Sequence, residues 1–203
     1  MPRPILLLLA HPALHRSRVN RVLVDAARGV DGVRVCDLYR TYPDFQIDVA
    51  EQQALLAEHE LIVFQHPFFW YSSPSILKEW QDLVLQFGFA YGPGGDALHG
   101  KSLMSAISTG GAEEAYCSKG HNQFTMEKFL RPFEQTAGLC GMRYLPPFIL
   151  HGTHRLSDIE IAGEAQDYRQ ILEQLANPRT DLGNLRRERM NGFGAGLAGE
   201  VGR

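Results

Sequence analysis

The sequence has few cysteines, no long apolar run and no strong excess of charge of either sign. Its three cysteines, Cys36, Cys117 and Cys140, form no Cys-x-x-Cys pair, which argues against a disulfide framework or a zinc site and favours a reducing, cytoplasmic setting. The longest wholly apolar run, residues 5–10, is far short of the ~20 residues that a membrane-spanning helix needs. A formal net charge of −3 suggests neither a nucleic-acid partner nor an acidic disordered tail.

The chain of 203 residues is 44% hydrophobic and 21% charged, which is ordinary for a single globular domain. Many of its apolar residues gather in short runs. Short runs that are apolar on both faces are typical of strands covered by helices on both sides of a parallel sheet. We predict strands over residues 5–9, 33–36, 61–64, 103–107 and 148–150.

Between these runs, apolar residues recur at the spacing of amphipathic helices. Ser17 is the predicted N-cap of the first helix, while Ser73 and Pro74 are the predicted N-cap and first residue of another. The alternation of strands and helices predicts a doubly wound α/β domain over residues 1–176. The glycine- and arginine-rich residues 177–203 are expected to form a loose tail or an arm on a partner subunit. The predicted helices cover residues 19–27, 49–58, 76–87, 126–137 and 161–175.

Three unusual segments follow predicted strands. Residues 11–20 follow the first strand, residues 66–74 follow the third, and residues 108–116 follow the fourth. In open α/β sheets, ligands bind beyond the carboxyl ends of the strands, where the strand order changes direction. The three segments are therefore expected to converge on one ligand.

The segment 11–20 offers hydroxyl, amide and basic side chains around a helix N-terminus, where free N–H groups and the helix dipole favour a phosphate. It contains neither the Gly-x-x-x-x-Gly-Lys pattern of a Walker loop nor the Gly-x-Gly-x-x-Gly pattern of a dinucleotide turn. If the segment binds a phosphate, it does so with hydroxyl side chains in place of glycines. The competing interpretation is a plain helix cap beside a surface histidine.

The other two segments suit a flat ring system. Four successive aromatic residues, 68–71, cannot all be buried against the sheet, so some are expected to face a cavity. Gly110 and Gly111 allow the backbone to approach a ring closely, although an ordinary turn explains them equally well. Tyr116 and His121 lie farther along the same loop. They either neutralise charge that builds up on a reduced ring or are surface residues without a role.

Several short motifs occur together in a specific order and spacing. They are Ala10-His-Pro, Ser17-x-x-Asn20, Gln65-His-Pro-x-x-Trp-Tyr71, Pro74-x-x-Leu77-Lys-x-Trp80, Ala90-Tyr-Gly92, Leu98-x-Gly-Lys101 and Thr109-Gly-Gly111. Through these motifs, residues 4–175 resemble the flavodoxin-like NAD(P)H:quinone oxidoreductases. Leu38-Tyr…Tyr42-Pro-Asp-Phe and Leu145-Pro-Pro-Phe148 make the chain most similar to the ancillary flavoproteins of glutathione-gated potassium-efflux (Kef) systems.

The resemblance implies a flavodoxin-like, five-stranded sheet of order 2-1-3-4-5 and a homodimer with two active sites at the subunit interface. Each site would hold FMN or FAD, which NAD(P)H reduces before a quinone takes both electrons. Tyr116 and His121 match the family's catalytic tyrosine–histidine pair. The flavin phosphate would be held by His11, Ser17, Arg18, Val19 and Asn20, and the flavin ring by Phe68, Phe69, Trp70, Tyr71, Ser108, Thr109, Gly110 and Gly111.

Three other functions compete with that of a quinone reductase. The first is a regulatory subunit of a potassium/proton antiporter, which would place the protein in the cytoplasm or on the cytoplasmic face of the inner membrane. A one-electron carrier like flavodoxin is disfavoured because such carriers are strongly acidic. Metal hydrolysis is disfavoured because neither His11 with His15 nor His151 with His154 has a supporting carboxylate cluster. The choices between FMN and FAD and between NADH and NADPH stay open, although the short first loop favours FMN.

Overall fold

The computed structural model describes residues 1–185 and 189–192. The strands are β1 (Ile5–Leu9), β2 (Val33–Asp37), β3 (Leu61–Pro67), β4 (Ser102–Ser108), β5 (Arg143–Tyr144) and β6 (Phe148–Leu150). The α-helices are α1 (Arg18–Arg28), α2 (Leu38–Thr41), α3 (Val49–Glu58), α4 (Ser75–Val84), α5 (Met126–Leu139) and α6 (Asp158–Ala176). Short 3-10 helices cover Leu14–Arg16, Glu113–Ala115 and Leu182–Asn184.

The sheet has the order β2-β1-β3-β4-β5, and all its pairings are parallel. The predicted doubly wound α/β fold and its strand order are therefore confirmed. The predicted strand 148–150 is observed as β6, and a two-residue strand that was not predicted, β5, precedes it; both pair with β4. Pro146 and Pro147 lie between them, and a proline has no N–H to continue the ladder.

Helices cover both faces of the sheet, and the alternation of side chains along β1 divides the core in two. Leu6 and Leu8 belong to the core beneath α3, α4 and α5, whereas Ile5, Leu7 and Leu9 belong to the core beneath α1 and α6. All five side chains are completely buried. This double covering explains why the strand is continuously apolar in sequence.

The helix boundaries confirm one predicted cap and correct another. The Ser17 hydroxyl accepts a hydrogen bond from the Asn20 N–H at 3.0 Å, as expected of an N-cap. In contrast, Pro74 occupies the N-cap position of α4 with an extended ψ of 149°, so the helix begins one residue later and Ser73 is not its cap. The helix also ends at Val84, which leaves Phe87 outside it and 67% exposed.

The predicted tail is described over residues 177–185 and 189–192, and the rest of it lies outside the described residues. Its described part contacts the domain, because Met190 is completely buried in the core beneath α1 and α6. Among the helices described, none is both long and apolar enough to cross a bilayer.

Candidate functional site

The carboxyl edge of the sheet brings the three predicted segments side by side. Leu9 at the end of β1 is in register with Gln65 of β3, and farther along Pro67 is in register with Ser108 of β4. The segments that follow these strands are therefore neighbours at the point where the strand order changes direction, as expected for a ligand site. Ser108 is also in register with Leu150 of β6, so the structure adds a fourth segment, residues 151–156.

The segment after β1 forms a compact turn ahead of α1. The half-buried His11 accepts a hydrogen bond at Nδ1 from the Ala13 N–H at 3.1 Å, and burial lowers the pKa of His11. His11 therefore shapes the turn as a neutral ring at neutral pH. Arg18 is exposed, and its guanidinium donates to the Leu156 carbonyl at 3.1 Å and to the Asp158 carboxylate at 2.6 Å. The Val19 side chain is buried in the core, so Val19 can offer a ligand at the helix N-terminus only its backbone N–H.

Asn20 lies beneath this helix N-terminus and is only 2% exposed. Its amide nitrogen donates to the Ser108 hydroxyl at 2.8 Å, and its backbone carbonyl accepts from Gln65 at 3.1 Å. Gln65 in turn accepts from the Tyr168 hydroxyl at 3.3 Å. Within the described part of the chain, the buried Asn20 Oδ1 has no hydrogen-bond partner. An orphaned buried acceptor calls for a partner, and a ligand that carries hydroxyl or N–H donors would supply one.

The aromatic segment forms a tight turn at the end of β3. Phe69 and Ser72 exchange backbone hydrogen bonds of 3.1 and 2.9 Å, and between them Trp70 and Tyr71 have φ values of 48° and 63°. Left-handed backbone at two successive bulky residues is unfavourable and occurs mostly at functional positions. Phe69, Trp70 and Tyr71 are 42%, 94% and 52% exposed, so the expectation that not all four rings are buried is confirmed. Only Phe68 is half-buried.

The glycine turn after β4 is close to two side chains. A Cβ at Gly110 would lie 2.8 Å from His154 Nε2, and one at Gly111 would lie 3.1 Å from the ring of Tyr116. The Thr109 hydroxyl donates to the Gly111 carbonyl at 2.7 Å and lies 3.2 Å from His151 Nδ1. The Thr109 hydroxyl has a single hydrogen, which points to the Gly111 carbonyl. The hydrogen between Thr109 and His151 therefore belongs to His151 Nδ1.

The ring next to Tyr116 belongs to His151, with the two ring centroids 5.3 Å apart. Tyr116 also packs on Phe68 at 6.1 Å, which connects the glycine loop to the aromatic turn. His121 is exposed on the surface turn before α5. Sequence reasoning missed His151 and His154 as residues of this site. Their position directly after the fifth predicted strand was the signal that could have found them.

A Walker-like pattern elsewhere in the chain forms no phosphate loop. Residues 95–102 match Gly-x-x-x-x-Gly-Lys-Ser, but they precede a strand, whereas a phosphate loop follows one and opens a helix. The Lys101 amine donates to the Ala57 and His59 carbonyls at 2.9 and 2.7 Å. Lys101 thus ties the C-terminal end of α3 to the sheet. Nor do the described residues contain a group of three or more His, Cys, Asp or Glu side chains placed to hold a metal ion.

Comparison with known proteins places the chain among flavodoxin-like proteins. The family model described as a flavodoxin-like fold, Flavodoxin_2, matches residues 3–173. The chain is 50% identical over 177 residues to the glutathione-regulated potassium-efflux system ancillary protein KefG of Escherichia coli, covering 87% of this chain and 95% of KefG.

Two solved structures are also similar. The general stress protein 14 of Treponema denticola, in complex with FMN, is 39% identical with a TM-score of 0.81 and covers 85% of this chain and 99% of its own. A protein of P. pentosaceus described as an NADPH-quinone reductase is 30% identical with a TM-score of 0.77, covering 87% and 99%. The resemblance inferred from the sequence motifs is confirmed, and the chain belongs to the Flavodoxin_2 family of flavodoxin-like proteins.

Proposed function

We propose that this protein is an FMN-dependent NAD(P)H:quinone oxidoreductase that works by a two-electron ping-pong reaction. The observation that carries the proposal is the orphaned, buried Asn20 Oδ1 in the first turn of α1, at the same sheet edge as an exposed aromatic turn. The FMN complex of the similar stress protein and the likeness to an NADPH-quinone reductase support it.

The residues at the sheet edge fit a flavin mononucleotide. In the first turn of α1, Ser17 to Asn20, the N–H groups of Arg18 and Val19 and the helix dipole would hold the phosphate, with His11 shaping the turn. The Asn20 Oδ1 would accept a hydrogen bond from a ligand hydroxyl. The aromatic turn Phe68–Tyr71 and the segment Ser108–Gly111 would flank the ring. When bound, the flavin would accept hydride from NAD(P)H and deliver it to the quinone.

Tyr116 is proposed as the residue that donates a hydrogen bond to the electron-rich ligand formed during the reaction. Its ring is held between Phe68 and His151, at 6.1 and 5.3 Å. Two histidines are candidates for its partner. The family resemblance favours His121, whereas the geometry favours His151, because its ring packs on Tyr116 and its Nδ1–H is fixed on Thr109.

Exchanging Tyr116 for Phe is expected to lower kcat about tenfold, because it removes one hydrogen bond that is strongest when charge develops. We expect His151→Gln to have a similar effect and His121→Gln a smaller one, since His121 is exposed. Steady-state kinetics on variants with matched flavin content would measure this. A loss in His121→Gln that exceeds the loss in His151→Gln would reverse the assignment.

A homodimer is proposed from the exposed aromatic residues around the site. Trp70 is 94% exposed and Phe87 is 67% exposed, and both lie on segments at or next to α4. Large apolar side chains that are exposed at both ends of one helix are candidates for a subunit interface. Sedimentation equilibrium should give twice the chain mass of 22.8 kDa, and a monomer would contradict the proposal.

The flavin and the activity can be tested on the purified protein. We expect a yellow protein whose denaturation releases FMN, identified by mass. NAD(P)H oxidation should accelerate when a naphthoquinone is added. Varying both substrates should give parallel double-reciprocal lines, as expected when the first product leaves before the second substrate binds. A colourless protein that neither FMN nor FAD can reconstitute would refute the proposal.

A second candidate function is a regulatory subunit of a potassium/proton antiporter. The 50% identity to KefG over 87% of the chain favours it. Co-expression with a Kef-type antiporter should raise potassium efflux over that of the antiporter alone. Tyr116→Phe is the informative variant, because activation of efflux that survives loss of reductase activity would separate the two roles. No activation by the wild-type protein would reject this function.

A further inference from the structure

The last described residues, 189–192, bind to the edge of the sheet, and we name them the C-terminal clasp. Asn191 Oδ1 accepts from the Ile149 N–H and Asn191 Nδ2 donates to the Ile149 carbonyl, both at 3.0 Å. These are the two backbone bonds that a neighbouring strand would make with β6. The Met190 N–H donates to the Pro147 carbonyl at 2.8 Å, and the Met190 side chain is completely buried. The Gly192 N–H donates to the Asp167 carboxylate at 2.7 Å.

One end of the clasp reaches the candidate site. The Arg189 guanidinium donates to the Glu113 carboxylate at 2.8 Å, across 76 positions of sequence. Glu113 lies between Gly111 and Tyr116, in the short 3-10 helix whose end carries Tyr116. The backbone N–H of Tyr116 donates to the Glu113 carbonyl at 2.9 Å, so the position of Glu113 constrains the position of Tyr116.

The clasp lies beyond the part of the chain that the family model matches, which ends at residue 173. We propose that the clasp is a positioning element that holds the loop of Tyr116 against His151 through the Arg189–Glu113 ion pair. The proposal rests on the reductase function proposed above for its catalytic consequence, but its structural part stands separately.

The anchoring of the clasp decides whether this ion pair has an effect. Arg189 and Glu113 are 43% and 61% exposed in their side chains, and an exposed ion pair between mobile partners contributes little. Here the backbone next to Arg189 is immobilised by the burial of Met190 and the two bonds of Asn191. Less conformational freedom is lost when the pair forms, so the pair restrains the loop more than a free arginine would.

The charges of Glu113 and Arg189 also affect the pKa of His151. Burial lowers the pKa of His151, the Glu113 and Glu114 carboxylates raise it, and the Arg189 guanidinium lowers it. The ring of Tyr116 packs against the same imidazole. Arg189→Gln should therefore raise the pKa of His151 and Glu113→Gln should lower it. This titration tests whether the two charges lie beside His151, whereas hydrogen exchange tests whether the pair restrains the loop.

The experiment compares full-length Arg189→Gln and Asn191→Ala with Arg179→Gln, an exposed arginine in the same tail whose side chain has no described hydrogen bond or ion pair. We expect amide hydrogen exchange over residues 110–116 to quicken about fivefold in both clasp variants and to stay at the wild-type rate in the control. NMR titration would follow the His151 ring in Arg189→Gln and Glu113→Gln. With a naphthoquinone as acceptor, kcat should fall about threefold, with the KM for NAD(P)H and the flavin content unchanged.

The readouts separate the possible failures. Unchanged exchange over residues 110–116 in Arg189→Gln would overturn the proposal, and so would faster exchange with an unchanged kcat. If the wild-type protein lacked reductase activity, the proposed function would fail, while the exchange data would still decide whether the clasp restrains the loop. If Asn191→Ala did not fold, Arg189→Gln, which removes only an exposed ion pair, would decide alone.

Discussion

Substituting Asp for Asn20 is expected to weaken FMN binding about 1,000-fold, equivalent to about 4 kcal/mol. The two side chains have nearly the same shape, so the backbone and the packing around residue 20 should stay in place. The substitution adds a negative charge and removes an N–H donor. The amide N–H group that donates to the Ser108 hydroxyl at 2.8 Å becomes an acceptor, and a buried carboxylate appears beneath the helix N-terminus proposed to hold the phosphate.

The phosphate and the new carboxylate would compete for the same positive end of α1. Like charges in a buried site repel strongly because water does not screen them. Asn20 Oδ1 is also the orphaned acceptor that a ligand hydroxyl would satisfy. A carboxylate could still accept that bond, so a loss of binding would be assigned to charge and to the lost donor. Ser108→Ala isolates the donor, because it removes only the hydroxyl partner, and we expect it to weaken binding about tenfold.

The measurement is a fluorescence titration of FMN with flavin-free protein, in which the flavin signal changes on binding. Asn177→Asp is the matched control, since it makes the same atomic change at an exposed residue at the end of α6. Far-ultraviolet circular dichroism would verify that both variants are folded. If Asn20→Asp bound FMN within about threefold of the wild type, Asn20 would not lie in the flavin site, and the placement of the phosphate at α1 would be wrong.

The sequence could predict the parts of the fold that depend on local pattern. The apolar run 5–9 predicted a strand covered on both faces, and the structure buries it completely. Ser17 predicted a helix start because its hydroxyl satisfies an N–H group only three residues away. The same reasoning failed at Ser73, because Pro74 itself occupies the cap position with extended backbone. The apolar stripe of α4 also continued in sequence to Phe87, although the helix ends at Val84.

The site was less predictable than the fold because it depends on contacts between distant residues. Strand order placed the segments after β1, β3 and β4 at one edge, and the convergence of these segments could be foreseen. The contact of Tyr116 with His151 could not, since it joins loops that follow different strands. The Arg189–Glu113 pair spans 76 positions and involves a segment expected to be loose. Local periodicity contains no information on such pairs.

His66 provides a second strong prediction, this time on stability. Its ring is completely buried at the end of β3 and lies 5.8 Å from the ring of Phe133 in α5. Nδ1 lies 2.9 Å from the Pro67 carbonyl, which can only accept, so Nδ1 carries the hydrogen and Nε2 the lone pair. Nε2 has no partner among the described residues. Protonating it would place an unpaired charge in the core, and burial accordingly lowers the pKa of His66 to about 4.

Stability should therefore fall as the solution is acidified from pH 7 to pH 5. The unfolded chain binds a proton at His66 near its usual pKa of 6.5, whereas the folded chain does not until about 4. Below 6.5 the unfolded state is thus favoured increasingly, by about 2 kcal/mol at pH 5 from this residue alone. His11 and His151, whose pKa values burial also lowers, change stability in the same direction.

His66→Leu should remove that contribution, so that its free energy of unfolding changes about 2 kcal/mol less between pH 7 and pH 5 than that of the wild type. The variant also loses the bond to the Pro67 carbonyl and changes the packing, but neither effect titrates in this range, so the difference between the two pH values isolates the proton. Urea unfolding at both pH values measures it. Equal pH dependence in His66→Leu and the wild type would show that the buried ring is not the acid-sensitive group.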